Sequence, residues 1–185
     1  MVNIKKIAFF ILVIVFIVTG VFFYWKNEQK ELANLNKSLP DGIKITKTLL
    51  NRYEVNDKID NYSFKVPKSW DGIEYIEYLP ETTEKEHTFS NIGIEGKTKR
   101  YKLIGVSKFQ GNLKTDILEQ ATSLFNDFGL NHNFTQKRIK NIKTIKDDSG
   151  FPGEYTYIFK KGNYMYVLVG ASEEFIEEII SNGTW

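Results

Sequence analysis

Apolar residues fill almost every position from Ile7 to Trp25, in the run IAFFILVIVFIVTGVFFYW, which only Thr19 and Gly20 interrupt. A helix lying on a soluble core keeps one polar face, and this run has none. A bilayer core of ~30 Å takes about 20 apolar residues at ~1.5 Å per residue. The pattern therefore predicts an N-terminal transmembrane helix. From Lys26 the chain turns polar, with Leu32, Leu35 and Leu39 at helical spacing. That extends the helix as a stalk until Pro40-Asp41-Gly42 stops it. The expected division is a membrane anchor over residues 1–25, a polar helical linker over 26–40 and a folded domain over 41–185.

Within the domain, alternation of period two comes first. Ile43 to Tyr53 reads as extended. Asn61 to Val66 puts Tyr62, Phe64 and Val66 on one face of a strand that Pro67 ends, before an aromatic turn around Trp70. Ile73 to Leu79 alternates with a shift of phase, the mark of a bulge. Pro80 to Thr88 reads as an acidic loop, Thr88 to Glu95 as a weak strand, Gly96 to Arg100 as a basic turn and Tyr101 to Phe109 as a strong strand. At Leu113 the period becomes helical. Leu113, Ile117, Leu118, Ala121, Leu124, Phe125 and Phe128 form one apolar stripe to cover a sheet, and Gly129 closes the helix.

Phe134 to Ile145 predicts one strand, and Asp147 to Gly153 a loop. Glu154–Lys160 and Asn163–Gly170 predict a hairpin about Lys161-Gly162, whose second strand is nearly all apolar and so central in its sheet. Ser172 caps a last helix, with Glu173 and Glu174 in its first turn and Phe175, Ile176, Ile179 and Ile180 facing inward. Strands, helix, strands and helix joined by hairpins predict the α+β class: an antiparallel sheet with packed helices behind an N-terminal transmembrane helix.

Charge orients the anchor. Lys5 and Lys6 precede the run and no acid does, which keeps the N-terminus cytoplasmic and sends the domain to the extracytoplasmic side. A cleaved signal peptide has a shorter apolar core and a small-residue cleavage site, and bulky Val21, Phe22 and Phe23 follow the nearest match. Beyond Trp25 basic and acidic residues balance at 23 each. A neutral domain gives no electrostatic reason to bind nucleic acid. The 185 residues hold no cysteine, which excludes disulfides, thiol catalysis and cysteine metal sites.

Three stretches carry a family resemblance: NYSFKVPKSW, YKLIGVSKFQGNLKTDILEQATSLF and GEYTYIFKKGNYMYVLVGASEEFIEEII, which together cover most of Asn61 to Ile180. They resemble the PsbP-like family, the superfamily of the extrinsic photosystem II protein and the Ran-binding Mog-type proteins. The resemblance implies an α/β/α sandwich. It also implies docking onto large protein complexes rather than substrate turnover, and it transfers no catalytic residue. The plant photosystem members lack such an anchor.

Little catalytic chemistry is visible. His87 and His132 lie far apart in polar stretches and read as surface side chains. Asp147-Asp148-Ser149-Gly150 lacks the alternating acids and twelfth-position Glu of a calcium loop. The acids of the last helix read as its solvated face. No cofactor and no metal are expected. The aromatics Tyr53, Tyr62, Trp70, Tyr75, Tyr78, Tyr155, Tyr157, Tyr164 and Tyr166 read first as core. The candidate interface is Trp70, in its turn, with Asp147, Asp148 and Phe151 of the loop that follows, because exposed Trp anchors interfaces and loops carry function. The competing reading has Trp70 plugging one end of the sheet. The functional expectation is a non-enzymatic module tethered to the membrane that binds or assembles an envelope protein partner. The alternatives are a receptor for a small molecule or cell-wall ligand, and an enzyme using unrecognised carboxylate chemistry.

Overall fold

The computed structural model of the chain describes residues 4–48, 52–67, 69–70, 72–85, 87–97, 104–111, 113–149 and 154–185, with side chains from Thr19 onward, Ile104 excepted. Contacts divide it into two units, Met1–Lys37 and Ser38–Trp185. The first contains helix α1 (Ile4–Lys37), whose 34 residues span about 50 Å at the α-helical rise. The side chains of Val21, Phe22, Phe23, Tyr24 and Trp25 are all exposed on it. Among the described residues, no helix is long and apolar enough to cross a membrane. The larger part of the Ile7–Trp25 run lies in side chains outside that description.

The second unit is mixed α+β and, with α1, gives three helices and two antiparallel sheets among the described residues. The small sheet is a meander of β1 (Ile43–Lys47), β2 (Tyr53–Asp57) and β3 (Tyr62–Lys65). Ile43–Tyr53 is thus two strands rather than one extended segment. Gly42 turns the chain into β1 with φ +106°, a backbone state that glycine reaches without strain.

The large sheet has seven strands. They are β4 (Ile73–Glu84), β5 (His87–Gly96), β6 (Ile104–Gln110), β7 (Phe134–Ile139), β8 (Ile142–Asp147), β9 (Tyr155–Lys161) and β10 (Tyr164–Gly170). Their order is β4-β5-β6-β10-β9-β8-β7, and every neighbouring pair is antiparallel. The apolar strand β10 does sit at the centre. β4 carries two irregularities, at Ile73/Tyr75 and Leu79/Thr82.

Several sequence expectations are corrected. Pro80 to Glu84 is strand, not loop: β4 is an edge strand, where a missing N–H costs no ladder bond. Phe134 to Ile145 is two strands, β7 and β8, folded back at Lys140, which takes φ 50°. Helix α2 (Ile117–Asp127) begins later than its stripe, because Asp116 caps it by accepting from the Leu118 and Glu119 amides at 2.8 and 3.1 Å. Its end follows the sequence: Gly129 takes φ 68° while the Leu130 amide returns to the Phe125 carbonyl at 2.8 Å. Ser172 stands at the N-cap of α3 (Glu173–Asn182), but its hydroxyl makes no capping bond.

The two helices take opposite faces of the large sheet. Ile158 and Val167 pack in the cluster that α2 covers with Ala121, Leu124 and Phe125. Their chain neighbours Tyr157, Phe159 and Tyr166 point the other way. There they meet α3, β3 and the chain's last tryptophan: the Tyr62 ring lies 6.0 Å from Tyr166, and Trp185 lies 5.1 Å from Phe159 and 5.6 Å from Tyr62. The small sheet and α3 therefore share one face, and α2 holds the other.

Candidate functional site

The face under α3 and the small sheet is filled with charge as well as rings. Tyr157, fully buried, sets its single hydroxyl proton between two acceptors, Glu173 at 2.7 Å and Glu177 at 2.8 Å. Lys137 pairs with both acids, and Lys146 reaches Glu173 at 3.2 Å and Asp148 at 2.9 Å. The Tyr157 hydroxyl and these ammonium groups hold the Glu173 carboxyl down to about 2. Arg52 pairs with Glu178. Glu173, Glu177 and Glu178 are thus half-buried ties to the sheets rather than a freely solvated face, whereas Glu174 is exposed as the sequence reading has it.

A second knot joins the sheets. Lys108, buried, donates to the Asp60 carbonyl at 2.6 Å and lies 3.4 Å from its carboxylate, with its ammonium 4.0 Å over the Tyr164 ring. Tyr78 donates to Asp60 at 3.3 Å, and the Asp60 amide donates to Asp57 at 2.8 Å. Burial raises the Asp57 carboxyl above the ordinary carboxylate range, and the neighbouring Asp60 charge adds to the rise. Burial also lifts the Tyr78 and Tyr166 phenols to about 12. These carboxylates are closed in by the side chains that latch the sheets.

The opposite face is built differently. Strand register sets Asn91, Ser107, Val167, Ile158 and Ile145 in one row across the sheet. The next row runs Gly93, Gly105, Val169, Thr156 and Asp147. Helix α2 covers the first row only in part, and a Cβ added at Gly93 would meet no atom within 4 Å. Beside α2, over Ser107, Val167, Val169 and Thr156 of these rows, opens a cleft of about 740 Å³. Its wall is Phe89, Phe109, Phe125 and Phe128, with Leu124, Val167 and Val169 as apolar floor. Asn131, Asp147, Ser149, Glu154 and Thr156 form a polar rim on the β8–β9 side, and Leu130 at the lip is 53% exposed.

The sequence-predicted site residues fall in three places. Trp70 is 6% exposed, so its ring is not displayed at the surface, and its amide bonds the Pro67 carbonyl at 3.1 Å. Asp147 is the last residue of β8 and 4% exposed, not part of an open loop. Its Oδ1 accepts from the Asn133 amide, the Ser149 amide and the Ser149 hydroxyl at 2.9, 3.1 and 2.8 Å. Asp147 thereby fixes the bend that shapes the rim. Asp148 is at the surface, held by Lys146 and by Thr135 at 3.3 Å. Phe151 lies outside the described residues. The structure does not bring Trp70 to the Asp147 bend.

The histidines are not free surface groups. His87 lies 2.8 Å from Asp127 and packs against the Phe109 and Phe128 rings at 6.4 and 5.9 Å. His132 stacks on Phe134 at 4.7 Å. Ser123 lines the same depression as His87 and Asp127, yet no hydrogen bond joins it to His87 among the described residues. No group of three or more His, Asp or Glu side chains there is placed to hold a metal ion. No family model, curated protein or solved structure matches the chain. The likeness to the PsbP-like family therefore rests on its sequence stretches alone.

Proposed function

We propose that the chain is a non-enzymatic binding module, tethered to the membrane by its N-terminal helix with the domain on the extracytoplasmic side, and that the cleft beside α2 binds its ligand. The cleft carries the reading. At about 740 Å³ it has the size of small-molecule sites, and its apolar wall with a few polar groups at one rim is their usual chemistry. The tether is supported by the length of the Ile7–Trp25 run, by Lys5 and Lys6, and by the consecutive exposure of Val21 to Trp25, which a surface in water rarely shows.

Docking onto an envelope protein complex, as the PsbP-like resemblance implies, is the second reading. The observation that favours it is the edge strand β4, where Tyr75 and Leu79 are half exposed. One experiment separates the two. The full chain, reconstituted in lipid nanodiscs, is screened by tryptophan-detected melting against apolar small molecules, with an envelope pull-down in parallel. Stabilisation that Val169→Phe removes supports the cleft. No stabilisation, with a partner captured by wild type and lost by Tyr75→Ala/Leu79→Ala, replaces the cleft with the β4 surface.

A further inference from the structure

The cleft has a polarity along its length. It runs across the strands from Phe89 on β5 to Asp147 on β8, four inter-strand spacings or about 19 Å. At the β8–β9 end stand two carboxylates, Asp147 and Glu154, and among the described residues no basic side chain lines the cleft. Asp147 is occupied by three internal donors. Glu154 is exposed and makes no ion pair among the described residues. The β5 end carries no charged lining residue among those described: Lys85 lies outside the lining, its ammonium 5.3 Å over the Phe128 ring and bonded to the Asp127 carbonyl at 2.7 Å, with the Asp127 carboxylate beside His87. Between the ends lie phenylalanine faces, Phe89 and Phe109 stacked at 5.0 Å among them.

Resting on the cleft reading above, we propose that its ligand is a small organic cation with an apolar, preferably aromatic, body. The body packs among Phe89, Phe109 and Phe125, and the ammonium head lies at the Glu154 end. An anionic amphiphile would set its charge against the carboxylates of that end, or leave it unpaired at the apolar end. A neutral one would gain the packing alone.

Three probes sharing one body test this: phenylbutyl-trimethylammonium, phenylbutanol and phenylbutanoate. Each is titrated calorimetrically into the full chain in nanodiscs, with binding to empty nanodiscs subtracted. The expected order is cation, alcohol, carboxylate, with about tenfold or more between first and last. Glu154→Gln should shrink that ratio to about threefold or less while the alcohol's affinity holds. Equal binding of the three probes, or a cation preference that survives Glu154→Gln, overturns the charge assignment and leaves the cleft standing. Binding of none of them, or binding that Val169→Phe does not weaken, overturns the cleft itself.

Discussion

The two faces of the seven-stranded sheet share every strand and differ in how they are finished. On β10, Tyr166 and Leu168 turn toward α3 and the small sheet and are buried, while on the α2 side Met165 and Val167 are buried and Val169 is only partly covered. On β5, Ser90, Ile92 and Ile94 are buried and the alternate Phe89, Asn91 and Gly93 are not. The first face is closed by rings and by charge pairs that span the layers. The second is covered, among the described residues, by a single eleven-residue helix, and four of the five residues in the Gly93–Asp147 row stay only half-buried. Close packing fixes one conformation, and an open apolar row leaves room for something else to complete it. On the proposed reading, stability and binding would belong to opposite sides of one sheet.

Truncation is the strongest way to break that contrast. Phe159→Ala, in the packed face, should cost ~3–5 kcal/mol by chemical denaturation, whereas Phe89→Ala at the cleft should cost about 1 kcal/mol. Equal losses would mean that the cleft face is packed as tightly as the other. Enlargement sharpens the same point with adjacent residues. Leu168→Phe overfills a closed face and should cost about 1–3 kcal/mol, while Val169→Phe should change stability by less than about 0.5 kcal/mol. Next in size is Tyr157→Phe, which strips the hydroxyl shared by Glu173 and Glu177; its expected cost is about 1–2 kcal/mol.

The smallest effects have opposite signs. Glu173 is held at about 2 in the folded chain and takes its proton near ~4.3 when unfolded. Its contribution is complete above ~4.3 and is lost as pH falls through about 2. Being a third exposed, it should add less than about 1 kcal/mol. Glu173→Gln should flatten the acid limb of the stability curve. Asp57 is shifted upward by burial, so its penalty is absent below ~3.9 and grows as pH rises through its folded value. Asp57→Asn should therefore hold or raise the melting temperature at neutral pH. A fall of several degrees would show that the Asp57 charge helps to latch the sheets.

The parts of the fold legible in the sequence were those whose reason is local. β10 announces itself by an unbroken apolar run, and α2 by a stripe that closes on Gly129. The turn at Lys140 was hidden because nothing in a lysine signals a left-handed backbone, so β7 and β8 merged. Pro80 misled because a proline is harmless only on an edge, and edges are a property of the whole sheet. The ties of Glu173 and Glu177 join residues 36 and 40 positions from Lys137, so their acids read as solvated. Asp147 drew notice for its turn-rich neighbourhood, yet its place in the cleft row depends on β9. The cleft itself draws its lining from separate strands and a helix, and no window of sequence contains it.

The position of β10 has a consequence in time. β4, β5 and β6 are joined by short connections, as are β7, β8 and β9, so each trio can pair as its residues emerge in order into the compartment where the domain folds. The strand that joins the trios is made last of all seven. Until residues 164–170 emerge, β6 and β9 each present an unpaired inner edge, and the Val106 and Ile158 side chains beside those edges have no Leu168 or Val167 to cover them. A nascent chain stalled short of Tyr164 is thus two half-sheets with sticky margins, the kind of edge that recruits another chain. A chaperone has its greatest leverage on this protein in that interval.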